Sequence, residues 1–328
     1  MNPFLFALNA ISPIIIMIAL GYFLKKIGLV TPDMAKSLNK LVFRAFLPVM
    51  LFLNVYKIEN TASFDMLYIG YTMGAVLSVF LIAIPVVILF TKKNEERGVL
   101  LQASFRSNHA LIGIPLATAL FGDEGTIVAS LLAAFAVPLF NILAVISLSL
   151  FGEEKKRSSA VKILLGIIKN PLIIAAALGG AVLLIRSALT AVNIDFRLSD
   201  IEPLMKVMNY LSDLATPLAL IALGAQFEFS FISHKKREII FGTAMRVILA
   251  PALCIGIAYF FLCSNFTGAH FAAFVSVFAT PVAVSSVPMA QEMGADSELA
   301  GQLVVFTTLV SMLTTFLLTV LFKSLGIF

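Results

Sequence analysis

The stretch SPIIIMIALG, Ser12–Gly21, returns as NPLIIAAALG, Asn170–Gly179, with six of ten positions identical and no gap. Three proline pairs accompany it in the same order: Pro48 with Pro217, Pro85 with Pro251, and Pro115 with Pro281, the last two sharing an offset of 166 residues. Apolar segments align by chance easily, so the shared order carries the inference that the chain is a duplicated unit. The residues around these motifs form apolar runs of roughly 20 residues, the length a helix needs to cross a ~30 Å hydrocarbon core.

Followed outward, the runs number ten: Phe4 to Leu24, Leu38 to Val55, Leu67 to Phe90, Val99 to Phe121 and Ile127 to Phe151 in the first half, then Val161 to Ile185, Pro203 to Phe227, Ile239 to Leu262, Ala269 to Met293 and Leu299 to Leu321. Five helices per half is an odd number, so the second unit enters the membrane upside down relative to the first. Inverted five-helix repeats of this kind build many secondary transporters. The expected domains are residues 1–151 and 161–328, joined by a charged connector at 152–160 that contains EEKKRSS, Glu153–Ser159.

Composition agrees: 60% of the 328 residues are hydrophobic and 12% charged, whereas a soluble domain is about a quarter charged. The first apolar run lacks a basic stretch before it and is too long for a signal-peptide core, which predicts a retained helix. Fourteen basic residues fall in loops of one side, among them Lys25, Lys36, Lys92, Lys93, Lys155, Lys156, Lys235 and Arg237, against five on the other, Lys57, Arg186, Arg197, Lys206 and Lys323. Cytoplasmic loops retain Lys and Arg, so both termini are expected outside a bacterial inner membrane that the chain crosses many times. The formal charge of +5 is spent on this orientation signal and does not point to nucleic acid.

Catalysis has little support. Cys254 and Cys263 lack metal-ligand spacing, His109, His234 and His270 are scattered, and neither HExxH nor GxSxG occurs. No cofactor, metal or enzymatic activity is expected.

Function points to two prolines. In SNHALIGIPLATALFG, Ser107–Gly122, Gly113 and Pro115 sit within the fourth span, and FATPVAVSSVP places Pro281 in the ninth. Proline cannot donate to the carbonyl four residues back, here Leu111 and Val277. Such groups survive in lipid only against protein or a polar cavity. Each span is expected to break there, its second half starting at the proline, with amides near Leu116 and Ala117 and near Val282 and Ala283 offering the positive ends of helix dipoles to an anion. Asn108 supplies a donor and an acceptor, while Thr280, Ser285 and Ser286 supply hydroxyls. Ionisable groups inside spans are functional candidates by default: Arg106, Asp213 and Arg246 qualify, with Arg44 near a span end. His109 can titrate. Glu292 is the first acid to consider if a coupling cation binds.

At NHALIGIP, KNPLIIAAALGG and TPVAVSSVPMAQEMGAD the chain resembles the auxin efflux carrier family over its whole length, in particular the bacterial malate and malonate permeases. The resemblance implies fourth and ninth helices crossing at their prolines, a substrate carboxylate held near Asn108, a homodimer, and an elevator motion. In that motion helices one, two, six and seven stay fixed while the other six move. The long cytoplasmic loop of the plant hormone carriers is replaced here by Glu153–Ser159, which makes auxin a poor substrate. The resulting expectation is a permease for small organic anions such as malate or malonate. A sodium-coupled symporter similar to the bile-acid carriers, or a membrane anion receptor, are the alternatives.

Overall fold

The computed structural model describes residues 3–56, 65–152, 168–191, 197–228 and 234–328. The expected connector, from Glu153 onward, and the expected start of the sixth span at Val161 lie outside the described residues.

The described chain is helical. α1 (Pro3–Lys26) is followed by α2 (Pro32–Leu41), which passes through a π-helical turn, Val42–Phe46, into α3 (Leu47–Tyr56). Next come α4 (Met66–Phe90), α5 (Asn94–Phe105), a second π turn at His109–Gly113, and α6 (Ile114–Leu150). α7 (Pro171–Ala191) and α8 (Glu202–Gln226) precede α9 (Lys236–Ala244), a third π turn at Met245–Leu249, and α10 (Ala250–Leu262). α11 (Gly268–Phe278), α12 (Ser286–Glu292) and α13 (Ser297–Ser324) complete the fold.

Helix starts follow ordinary capping chemistry. The Thr31 hydroxyl accepts from Met34 N at 3.2 Å with Pro32 in the first turn, and Asp296 Oδ1 accepts from Leu299 N at 2.8 Å. Each π turn ends two residues before a proline, Pro48, Pro115 or Pro251. The physical reason is shared: the missing proline N–H leaves one carbonyl unpaired, and a turn widened to i→i+5 absorbs the clash without ending the helix.

Seven helices among the described residues are long and apolar enough to cross a bilayer. One of these stretches, His109–Leu150, folds back on itself. Gly122 has φ +59, and Thr118 Oγ1 lies 2.7 Å from Thr126 Oγ1, although eight residues of straight helix advance about 12 Å. The chain therefore reverses at Phe121–Gly122, between the expected fourth and fifth spans.

Packing places α11 at the centre, buried on every side from Phe271 to Phe278, as a helix without a polar face should be. Leu89, Phe260 and Phe261 point outward instead, which in a bilayer is contact with lipid. α1 crosses α8 closely: a Cβ on Gly21 would stand 2.2 Å from the Ile221 carbonyl oxygen, and one on Gly224 2.0 Å from that of Ile18. α7 lies on α3 in the same way, with a Cβ on Gly179 placed 3.0 Å from Phe52 O. Small residues allow such backbone approach between membrane helices.

Candidate functional site

Two helices stop at mid-span and meet. α5 ends at Phe105, Arg106 and Ser107 leave the helix, and the chain resumes at His109. α11 ends at Phe278, and the segment through Pro281 runs unwound to Ser286. The breaks pair as a short antiparallel bridge, Ser107 with Val282, in which Asn108 N donates to Pro281 O at 2.8 Å. Val282 N donates to Thr307 Oγ1 at 3.0 Å, and the hydroxyls of Ser107 and Thr280 lie 2.7 Å apart. Unwound backbone at this depth is tolerable because the protein itself pairs it.

Arg246 binds the two breaks together. Fully buried, it donates to the carbonyls of Phe105 at 3.0 Å, Val277 at 2.7 Å and Thr280 at 2.9 Å. Phe105 and Val277 lie at the C-terminal ends of α5 and α11, where helix dipoles are negative. Val277 is also the carbonyl that Pro281 leaves unpaired. Placing a cation there neutralises both ends at once.

The position of the first break corrects the expectation at Pro115. Pro115 sits in the first turn of α6, and the π turn before it absorbs its steric demand. The chain leaves the helix at Arg106–Asn108 instead, where pairing with the second break and the Arg246 contacts satisfy the freed groups. Leu116 and Ala117 are buried in the first turn of α6, and the bridge to the second break is made at Ser107 and Asn108 instead. In the ninth span the unwound segment does include Pro281.

Beside the crossing lies a cavity of about 750 Å³. One wall comes from the breaks and α6, with Arg106, Asn108, Asn141 and Ser285; the other comes from α1, α3 and α8, with Met17, Asn54, Asp213 and Thr216. Arg106 is 1% exposed. Its Nη2 donates to Asn141 Oδ1 and Ser285 Oγ, both at 2.7 Å, and its Nη1 to Gln102 Oε1 at 3.4 Å and Met289 Sδ at 2.6 Å. All four partners are neutral. Among the described residues no carboxylate lies within ion-pair distance of this guanidinium.

Of the residues singled out in the sequence, Arg106, Asn108, Ser285 and Asp213 share the cavity. Thr280, Val282 and Ser286 are buried within the crossing and do not line it. Gly113 serves close packing, since a Cβ there would stand 2.6 Å from Ser276 O. His109 is enclosed, with Nε2 2.9 Å from Ala129 O and Nδ1 3.0 Å from Ser276 Oγ. Glu292 meets Arg44 of the first π turn at 3.1 Å, away from the cavity, beside a contact from Asn39 Nδ2 to Gln291 Oε1 at 3.0 Å. Asn141 was missed, although a lone amide in the apolar run AVPLFNILAV was a visible signal. The role of Arg246 had no such signal, because all its partners are main-chain atoms.

The known proteins that match are transporters. The family model for membrane transport proteins matches residues 6–319. An uncharacterized transporter from Methanothermobacter thermautotrophicus is 22% identical over 335 aligned positions, covering 95% of this chain and 97% of the relative. A second uncharacterized transporter, from Methanocaldococcus jannaschii, is 27% identical over 254 positions, covering 75% of this chain and 77% of its own length. With apolar helices packed around two paired breaks and a match along nearly its whole length, the chain is a multi-pass membrane transporter belonging to the membrane transport protein family, that of the auxin efflux carriers.

Proposed function

We propose that this transporter carries a small organic anion, of the malate or malonate kind, through the cavity beside the crossing. The observation that carries the reading is Arg106: a buried guanidinium lining a cavity, hydrogen-bonded among the described residues only to neutral groups. A buried guanidinium with no anion in contact is unfavourable inside a membrane protein. A substrate carboxylate supplies a contacting anion, and the forked guanidinium fits it in two-point geometry.

The wider architecture supports alternating access. Ten crossings in two inverted repeats account for the pairing of α1 with α8 and of α7 with α3, which are helices one with seven and six with two in the expected order. Of these, α1, α3 and α8 form one wall of the cavity and the crossing forms the other, so sliding one group past the other carries the site. Lys25 and Lys36 line one pocket with Glu228 and Glu298, while Lys93 and Lys235 both pair with Glu96. That clustering of basic loops at one end supports a cytoplasmic face there and both termini external.

The test is binding of malonate and malate to purified protein carrying Arg106→Gln. Losing a charged partner of this kind weakens binding by roughly 2–5 kcal/mol, about 30-fold or more, while Arg106→Lys retains part of the affinity. Asn108→Ala is expected to cost about 1–3 kcal/mol. Unchanged affinity and uptake in the folded Arg106→Gln protein would remove the cavity as the anion site.

A further inference from the structure

The cavity holds two charged groups, Arg106 and Asp213. Asp213 lies close to the midpoint of the 25-residue α8, and its side chain is exposed to the cavity. A carboxylate at the centre of a membrane helix is unfavourable and requires a reason. Pro217, one turn onward, cannot donate to the Asp213 carbonyl, which therefore lacks its usual helical partner. The walls nearest it, from α1 and α3, bring Ile14, Met17, Met50 and Asn54, none of which titrates.

The other charges on elements packed against α8 stay away from the cavity. Arg44 pairs with Glu292 at 3.1 Å, Lys25 with Glu228 at 3.8 Å, and Lys36 with Asp33 at 3.9 Å. Lys26 and Lys40 lie at the basic ends of α1 and α2 and do not line it either. Among the described residues, Arg106 is therefore the one charge that shares the space with Asp213.

We propose that Asp213 is the proton-binding group that couples anion transport to the proton gradient, an inference that rests on the anion reading above. Without substrate, one positive and one negative wall group leave the cavity neutral. A monocarboxylate bound at Arg106 makes it singly negative and a dicarboxylate doubly negative. Added negative charge favours the neutral form of a nearby carboxylate, so a bound anion draws a proton onto Asp213, and by reciprocity a bound proton tightens the anion. The proton comes from water on the entry side and forms an O–H bond on Asp213. When the anion leaves, Arg106 again favours the carboxylate, and the proton departs to water on the exit side. Asp213 stays on the fixed wall and is reached from each side in turn, so one proton crosses with each anion.

The experiment uses the full chain in proteoliposomes with labelled malonate and a trapped pH-sensitive dye. The wild type is expected to exchange malonate in counterflow, to accumulate it under an inward proton gradient, and to acidify the lumen as it does so. Asp213→Asn is expected to retain counterflow but to remove its dependence on pH, while gradient-driven accumulation and dye response fall at least tenfold; Asp213→Glu should restore both. Proton-driven accumulation surviving in Asp213→Asn would overturn the proposal. So would wild-type counterflow with no proton movement, accumulation driven by a sodium gradient alone, or loss of counterflow in a folded Asp213→Asn protein, which would make the carboxylate a binding group. If the wild type exchanges neither malonate, malate nor a monocarboxylate, the anion reading itself fails and takes this proposal with it.

Discussion

Arg106 and Arg246 are both buried, yet their surroundings assign them opposite work. Arg246 meets three carbonyls, two of them at negative helix ends. Arg246→Met would strand those groups at about 1–3 kcal/mol each, and a marked loss of thermal stability in detergent is expected. Arg106 has no ionic partner among the described residues, so Arg106→Gln is expected to raise the melting temperature of the empty protein while abolishing the stabilisation that malonate gives the wild type. A fall in the melting temperature of the empty protein would show that its neutral contacts outweigh the unfavourable burial of its charge. Both arginines stood out in the sequence as charges in apolar runs. Which one was structural was not legible, because the answer lies in carbonyl groups that every residue possesses.

At the scale of elements, Pro115 and Pro281 look alike in sequence and behave differently in the fold. Pro115→Ala is expected to leave anion affinity within about threefold, since the π turn before it already keeps the helix continuous. Pro281→Ala gives the chain an N–H able to pair with Val277 O, in competition with Arg246, and transport is expected to fall more than tenfold. Equal effects of the two substitutions in uptake assays would count against a break that lies away from Pro115. Proline spacing alone could not separate these outcomes, because a proline marks an unpaired carbonyl and the neighbouring chain decides how it is answered. The glycines of the repeated motif were more informative: Gly21 and Gly179 both sit where another backbone comes too close for a side chain.

Across the whole molecule, one end is tied by Lys235, which pairs with Glu96 and, at 3.3 Å, with Asp296. This joins the starts of α5, α9 and α13 outside the expected spans. Burial pushes the Glu96 carboxyl up, but hydrogen bonds from Lys235 and Thr91 outweigh it, leaving it below its ordinary 4.5. Burial pushes Lys235 down, and Glu96 with Asp296 raise it above its ordinary 10.5. The stabilisation from Glu96 is present above pH 4.5 and is lost as pH falls through the lowered value; that from Lys235 is present below pH 10.5 and is lost as pH rises beyond it. Thermal stability measured from pH 3 to 11 is expected to plateau between those limits in the wild type, with its acid edge softened in Glu96→Gln. The same end is expected to face the cytoplasm, so a cysteine at Lys92 should resist a membrane-impermeant reagent in intact cells; labelling there would invert the topology. The apolar runs made the helical membrane fold legible, whereas the partners of these loop charges depend on chain ends far apart in sequence.

The grip of Arg246 on main-chain oxygens has an evolutionary consequence. Every amino acid brings a carbonyl, so the crossing tolerates exchange of the side chains at Phe105, Val277 and Thr280 as far as this clamp is concerned. The frame and the cavity lining are thereby uncoupled: mutations at Asn108, Asn141 or Ser285 can change the lining while the crossing that presents them persists. Relatives diverged to about a fifth identity, as with the methanogen transporter at 22%, can then differ widely in side chains without losing such a clamp.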